Sequence, residues 1–325
     1  MTTEGPATAG RPPDEAFALV ADETRLEILR TLSETDEPLS FSELFERSEY
    51  DDSSNFSYHL DKLEGHFVSR TNEGYALRQA GRRVVEAVIA GTVTADPVVE
   101  RVPTDSQCPY CGASIEVSYE QERVEMYCSE CAGALRREDP RDQLGTDDDM
   151  FGHLGSMSLP PAGVRDRTPP ELLEAAQAWK HLDVMADSAG FCSRCSGVIE
   201  HSVTVCEEHD GTEGICEHCD RRYAVLFEVE CGTCHYNKRG LAPTCLLSKT
   251  ELLSFLTDHG GNPLMPETFD VDPGALANYE EDVLSVDPLR ARFTFTIGDD
   301  SITLTIDEDV SVIDVERGRG SSSAR

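Results

Sequence analysis

Six short pairs of candidate metal ligands, each with two residues between its members, govern how this chain can fold. They are Cys108/Cys111, Cys128/Cys131, Cys192/Cys195, Cys206/His209, Cys216/Cys219 and Cys231/Cys234. Eleven of the twelve cysteines fall in these pairs, and Cys245 stands apart as a buried apolar residue. Zinc takes four soft ligands in a tetrahedron, and two Cys-x-x-Cys turns that face each other supply them. A thioredoxin-like redox reading needs a βαβ context, and none flanks the pairs. The chain has no membrane-length apolar run and no signal-peptide pattern, so we expect a cytoplasmic protein with no membrane partner. Structural disulfides are not expected in that compartment.

The first four cysteines are separated by "IEVSYE" and "VEMYC", two alternating strand-like runs. Cys108, Cys111, Cys128 and Cys131 therefore read as a four-cysteine zinc ribbon over 101–139. Residues 140–167 are rich in Pro, Gly and Asp and read as a linker. Thr168-Pro-Pro-Glu171 is a capping box opening a helix, with Leu172, Ala176, Trp179 and Leu182 or Met185 expected on its core stripe.

The later four pairs can be matched in more than one way. "SGVIEHSVTV" and "DRRYAVLFEVE" are strand-like and nearly equal in length. Paired antiparallel, they bring Cys195 beside Cys231 and Cys206 beside Cys219. The outer four, Cys192, Cys195, Cys231 and Cys234, then close one site, and the inner four, Cys206, His209, Cys216 and Cys219, close another at the tip of the hairpin over 192–234. An interleaved pairing of Cys192/Cys195 with Cys216/Cys219 is a rival. A sequential pairing with Cys206/His209 is disfavoured, because a strand of about ten residues spans roughly 30 Å. The expectation is three Zn2+ per chain. Farther on, Ser248 to Glu251 reads as another capping box, and the alternation in 290–315 reads as a β-meander with Phe293, Phe295, Ile297, Ile302, Leu304 and Ile306 on one face.

Residues 1–13 read as a disordered leader and 317–325 as a disordered tail. Between them, 14–100 show helical periodicity through Phe17, Val20, Leu26, Ile28, Leu29 and Leu32, a short helix after Ser40, and a third with Phe56, Leu60, Leu63 and Phe67 on one face. Asp52 or Ser53 is its expected N-cap. A β-hairpin around Asn72-Glu73-Gly74 and a last helix follow. At "ALVADETRLEILRTL" and "SSNFSYHLDKL…FVSRTNEGYALRQAGRRVV" the chain resembles the ArsR-type winged helix-turn-helix regulators in the form found in haloarchaea. It departs from the metal sensors among them in having no cysteine in residues 1–100. The segment from about Pro160 to Val315 resembles the C-terminal domain that accompanies this winged helix, and that domain is expected over 168–316.

The expected fold class is thus α+β multidomain: a winged helix-turn-helix, a zinc ribbon, then a C-terminal α/β segment with a zinc-bearing β-hairpin. The resemblance implies a DNA-binding transcriptional regulator, a homodimer on double-stranded DNA. Ser54, Asn55, Ser57, Tyr58, His59 and Lys62 on the third helix, with Arg70 and Asn72 on the wing, are the candidate contacts. A winged helix with a zinc ribbon also resembles the alpha subunit of archaeal factor E, which gives the alternative: a protein-binding module contacting the transcription machinery. No catalytic constellation stands out, so no enzyme is expected. The chain carries Asp+Glu 62 against Lys+Arg 28, with only four lysines, Lys62, Lys180, Lys238 and Lys249. That acidity opposes DNA in dilute buffer. In molar salt, where the Debye length is about 3 Å, distant acids matter little and short contacts decide.

Overall fold

The computed structural model describes residues 11–48, 50–136, 151–211, 214–261 and 274–319. The expected leader to residue 10, residues 140–150 of the expected linker and the tail from 320 lie outside the described residues. The chain divides into two compact units, Met1–Ala95 and Asp96–Arg325. Both mix helices with antiparallel sheet. Among the described residues, no helix is long and apolar enough to cross a membrane.

In the first unit the order is α1 (Pro13–Val20), α2 (Glu23–Ser33), α3 (Phe41–Arg47), α4 (Ser53–Leu63), a hairpin of β1 (Val68–Arg70) and β2 (Tyr75–Leu77), and α5 (Gln79–Ile89). Among the described residues four helices precede the hairpin rather than three. Asp22 is extended and caps α2 by accepting from the Arg25 N–H, so the first expected helix breaks there. Asp52 caps α4 through the N–H groups of Ser54 and Asn55. Ile28, Leu29, Leu44, Phe56, Leu60, Leu63 and Val68 are completely buried and form the core. Phe56 meets Phe41 and Phe45 edge-on.

Among its described residues the second unit holds three sheets. The first is β3 (Val99–Gln107), β4 (Ser114–Glu120), β5 (Arg123–Cys128) and β6 (His153–Ser158), in that order. β6 falls within the stretch expected to be a linker, so that expectation is corrected for 153–158. Its alternation is masked by Gly155 and two serines, which give no apolar signal, yet Met157 is buried and the chain is held to β5 by hydrogen bonds. α6 (Pro169–Ser188) starts at the Thr168–Glu171 capping box. Leu172, Leu173 and Ala176 cover the first sheet, and Val184 enters the core of the rest of the unit. The stripe expected on α6 is wrong after Ala176: Trp179, Leu182 and Met185 are exposed, while Asp183 and Asp187 are buried. The two aspartates point inward because each meets a cation there, Arg194 at 3.6 Å and Lys238 at 2.5 Å.

The second sheet is β7 (Ile199–Val205), β8 (Val225–Cys231) and β9 (Asn237–Gly240). Each of the first two is seven residues, shorter than expected. α7 (Pro243–Leu246) and α8 (Thr250–Asp258) follow. The second expected capping box is absent. Lys249 holds the N-cap position, and the Ser248 hydroxyl turns instead to Ser188 and the Cys245 carbonyl. After α9 (Gly274–Ala277) comes a four-stranded meander of β10 (Glu280–Val286), β11 (Leu289–Ile297), β12 (Asp300–Asp307) and β13 (Val312–Arg319). It starts earlier than 290 and runs past 316, so Arg317 lies in a strand. Phe293, Phe295, Ile302, Leu304 and Ile306 are buried as expected from alternation.

The ribbon and the C-terminal segment are not separate bodies within this unit. The Tyr110 and Tyr223 hydroxyls both donate to the Ala277 carbonyl. The guanidinium of Arg222 lies 4.1 Å over the Tyr110 ring and donates to the Gly133 carbonyl. The Arg136 N–H donates to Asp220 and the Arg222 N–H to Ala134, so the second hairpin's tip is stitched to the first ribbon by backbone bonds.

Candidate metal centres and the polar face of the fourth helix

Four of the six ligand pairs sit on one repeated backbone turn. In each, the N–H of the first cysteine donates to the carbonyl five residues on, and the N–H four residues on donates back. This holds for Cys108 with Ala113 and Gly112, Cys192 with Gly197 and Ser196, Cys216 with Arg221 and Asp220, and Cys231 with Tyr236 and His235. The fourth residue onward is left-handed every time: Gly112, Ser196, Asp220 and His235 have φ of 77°, 60°, 53° and 58°. Only glycine takes that conformation without cost. Keeping Ser196 and His235 there points to a turn that the site needs. His235 is thus a turn residue, a role its side chain does not announce in the sequence.

The turns bring twelve ligands into three groups, and within each the ligand atoms lie within 4.8 Å of one another. Cys108, Cys111, Cys128 and Cys131 form the first. Cys192, Cys195, Cys231 and Cys234 form the second, at the base of the β7–β8 hairpin, and Cys206, His209, Cys216 and Cys219 form the third at its tip. The strand register produces this nesting: Ile199 pairs with Cys231 and Val205 with Val225, so outer turns meet outer and inner meet inner. Facing Sγ atoms are 3.4 to 3.7 Å apart in the two all-cysteine groups. A tetrahedral ion bonded to thiolates at about 2.3 Å requires a separation of roughly 3.8 Å, so the groups fit a single metal ion each.

The turns also prepare the ligands. Backbone N–H groups point at the Cys128, Cys192, Cys195, Cys216 and Cys231 sulfurs from 3.3 to 3.4 Å. Burial pushes the Cys128 thiol up, but the N–H groups of Cys131 and Glu130 outweigh it and bring it to about 7. The N–H groups of Cys234 and Thr233 bring Cys231 to about 6. Neighbouring thiolates then resist further ionisation. The Gly197 N–H pulls Cys195 down, but Cys234, burial and Cys231 outweigh it and push the thiol up to about 12. A divalent cation relieves that crowding of charge. In the third group His209 presents Nδ1 to Cys219 at 3.4 Å and Nε2 to the Arg222 carbonyl at 3.2 Å. A proton on Nε2 donated to that carbonyl leaves the Nδ1 lone pair facing the sulfurs. Gly211 makes room for this ring, since a Cβ there would stand 2.4 Å from Nε2.

Around the first group, sequence reasoning missed a buried pair: His153 Nε2 lies 2.8 Å from Glu125 Oε2. Gly152 passes so close to Cys128 that a Cβ would lie 2.0 Å from its carbonyl oxygen. Neither shows in the ligand spacing. The glycine is the signal available, because its φ of 82° admits little else.

In the first unit, α4 buries Phe56, Leu60 and Leu63 and leaves Ser54, Asn55, Tyr58 and Lys62 exposed, with Ser57 half-buried. The Asn55 amide donates to the Tyr50 hydroxyl, and the Lys62 ammonium lies 5.2 Å over the Tyr58 ring. Arg70 and Asn72 are exposed on the hairpin, Arg70 stacked over Tyr75. His59 does not join this face. Its side chain is 12% exposed and its Nδ1 lies 3.2 Å from Asp22 Oδ1 at the start of α2. Burial pushes the Asp22 carboxyl up, but the Arg25 N–H and guanidinium and the His59 ring outweigh it and hold it below the ordinary carboxylate range. Asn55 and His59 therefore do not act as a pair, although they are one turn apart.

No curated protein and no solved structure matches the chain. Residues 13–88 match a family model described as domain of unknown function DUF7347, which covers the first unit from α1 nearly to the end of α5. Residues 105–312, more than half of the chain and spanning all three ligand groups, match the model described as domain of unknown function DUF7351, and the chain belongs to that family.

Proposed function

We propose that the chain is a DNA-binding transcriptional regulator. Its first unit acts as a winged helix-turn-helix, and its three ligand groups hold structural zinc. The observation that carries this reading is the sidedness of α4. Its inner residues are wholly buried, its outer face is polar and open, and a hairpin with an exposed arginine follows it. Asn55 and Ser54 suit base edges, and Lys62, Tyr58, Arg70 and Asn72 suit phosphate. His59 is left out, because Asp22 occupies it. Zinc suits the ligand sets, three sulfurs or more in each. Four protein ligands close the shell, so the ion braces the fold and has no open position for water. Exposed Phe17 on α1 and Ile89 on α5 supply a surface for a homodimer, which suits a two-fold operator.

The second reading is a protein-binding module for the transcription machinery. It draws on the exposed stripe of Trp179, Leu182 and Met185 on α6. Genomic footprinting of the tagged chain in its host separates the two. Discrete protected sites sharing a sequence support the regulator. Occupancy that follows polymerase alone supports the module.

A further inference from the structure

The outward side of α6 differs from the rest of this acidic chain. Acids make up 62 of the 325 residues. Between Ala175 and Phe191 there are two, Asp183 and Asp187, and both are buried, held by Arg194 and Lys238. Lys180, three residues before Asp183, shares that inward side and lies near Lys238. What faces out over this length carries no carboxylate. Trp179, Leu182 and Met185 are 37%, 57% and 39% exposed among the described residues.

The side chains on this strip read the same in both directions from Leu182. Three residues to either side stand Trp179 and Met185, four to either side Ala178 and Ala186, and seven to either side Ala175 and Ala189. None of the four alanines is buried. At 3.6 residues per turn, all six lie within about 60° of Leu182 around the helix axis. Steps of three and four are the repeat by which one helix packs along another. Two helices related by a two-fold axis through Leu182 run antiparallel, and each residue meets its mirror position. Large then meets large, Trp179 against the partner's Met185, and small meets small, Ala178 against the partner's Ala186. A flexible thioether suits an indole ring, and facing alanines let the axes approach to about 8 Å.

We propose that α6 is a self-pairing surface: in a dimer of this chain it packs antiparallel against α6 of the second copy, with Leu182 on the two-fold axis. Charge points to the same occupant as symmetry does. Two copies with a formal charge of −34 each repel wherever their carboxylates face, and this strip lets them touch without burying one. The contact is small. Ala175 to Ala189 spans about 21 Å, and a strip about 10 Å wide gives roughly 200 Å², against the ~800 Å² per partner of a stable interface. At micromolar concentration the pairing therefore rests on the proposed contact through Phe17 and Ile89 to bring two copies together. At millimolar concentration it forms without that contact. On this assignment the stripe is not available to the transcription machinery.

Trp179 is the one tryptophan of the chain, so quenching of its fluorescence by acrylamide reads this surface. The measurement runs on the full-length, metal-loaded chain in molar KCl, from micromolar to millimolar concentration, with light scattering on the same samples. The quenching constant should fall about twofold or more as the dimer forms, because the indole leaves water. Leu182 is 57% exposed, so replacing it leaves the core intact. Leu182→Glu and Leu182→Lys should each abolish the fall, because two like charges then meet on the axis. An equal mixture of the two variants should restore at least half of it, because opposite charges meet in every mixed pair. A second copy of α6 is the occupant that gives this rescue. A dimer whose Trp179 is as open as in the monomer, protection that persists at every dilution, or a mixture that restores nothing overturns the proposal. So does a chain that stays monomeric at millimolar concentration. A chain that is monomeric at micromolar concentration, yet pairs at millimolar concentration with Trp179 protected, upholds the α6 contact and refutes the one through Phe17 and Ile89.

Discussion

Glu281 offers a quantitative check on the packing of the second unit. It stands on β10 and reaches to the start of β8, where Oε1 accepts from the Ala224 N–H at 2.6 Å and Oε2 from the Val225 N–H at 3.2 Å. Burial pushes its carboxyl up by more than those N–H groups and Arg221 pull it down, from 4.5 to about 7. The folded chain therefore holds this proton more tightly than the unfolded chain. The stability so gained is complete below about pH 4.5 and is lost as the pH rises through about 7. At pH 6 the contribution is RT ln(1 + 10), about 1.4 kcal/mol, and by about pH 8.5 almost none remains. Glu281→Gln removes the titration, and its one amide oxygen in the Oε1 position can still accept from both N–H groups, since Oε1 lies 2.6 Å from the Ala224 nitrogen and 3.3 Å from that of Val225. The assay is denaturant unfolding of the metal-loaded chain, followed by the fluorescence of Trp179, its one tryptophan. Between those pH values wild type should lose about 1.4 kcal/mol more than E281Q. Parallel losses in the two proteins would refute the reasoning that Glu281 is buried against its donors.

Elemental analysis of chain purified without chelator should give three zinc ions, and Cys216→Ala should give two, with both all-cysteine groups still loaded. A wild-type ratio near one or two would contradict the nested groups. Light scattering in molar KCl should report a dimer at micromolar concentration, and Phe17→Glu should return it to a monomer. A wild-type monomer would count against the α1 and α5 surface.

The core of the first unit follows from the periodicity of its apolar residues, and Phe56, Leu60 and Leu63 lie where that pattern places them. The match of ligand pairs in 192–234 was reachable because two strands of similar length leave few ways to close a hairpin on tetrahedral sites. What could not be read was set by partners remote in sequence. The inward face of α6 depends on Arg194 and Lys238, which turn Asp183 and Asp187 into buried residues and leave Trp179 outside. β6 is short and poor in apolar residues, so its strand character comes from pairing with β5. His59 has the right spacing for the outer face of α4, yet Asp22 draws its ring toward α2. Ser248 has capping-box spacing, but it bonds Ser188 from another helix. In each case a polar side chain took a partner that periodicity cannot see.

The central claim is that α4 reads DNA sequence, and a competition titration in concentrated KCl tests it most directly. Specific duplex, taken from a footprinted site, competes with a scrambled one for wild type and for Asn55→Ala. Losing one base-edge contact should cost about 1–3 kcal/mol on the specific duplex and far less on the scrambled one. Arg70→Ala should weaken both more evenly, as a phosphate contact does. A specific-to-scrambled ratio that Asn55→Ala leaves unchanged would contradict the account.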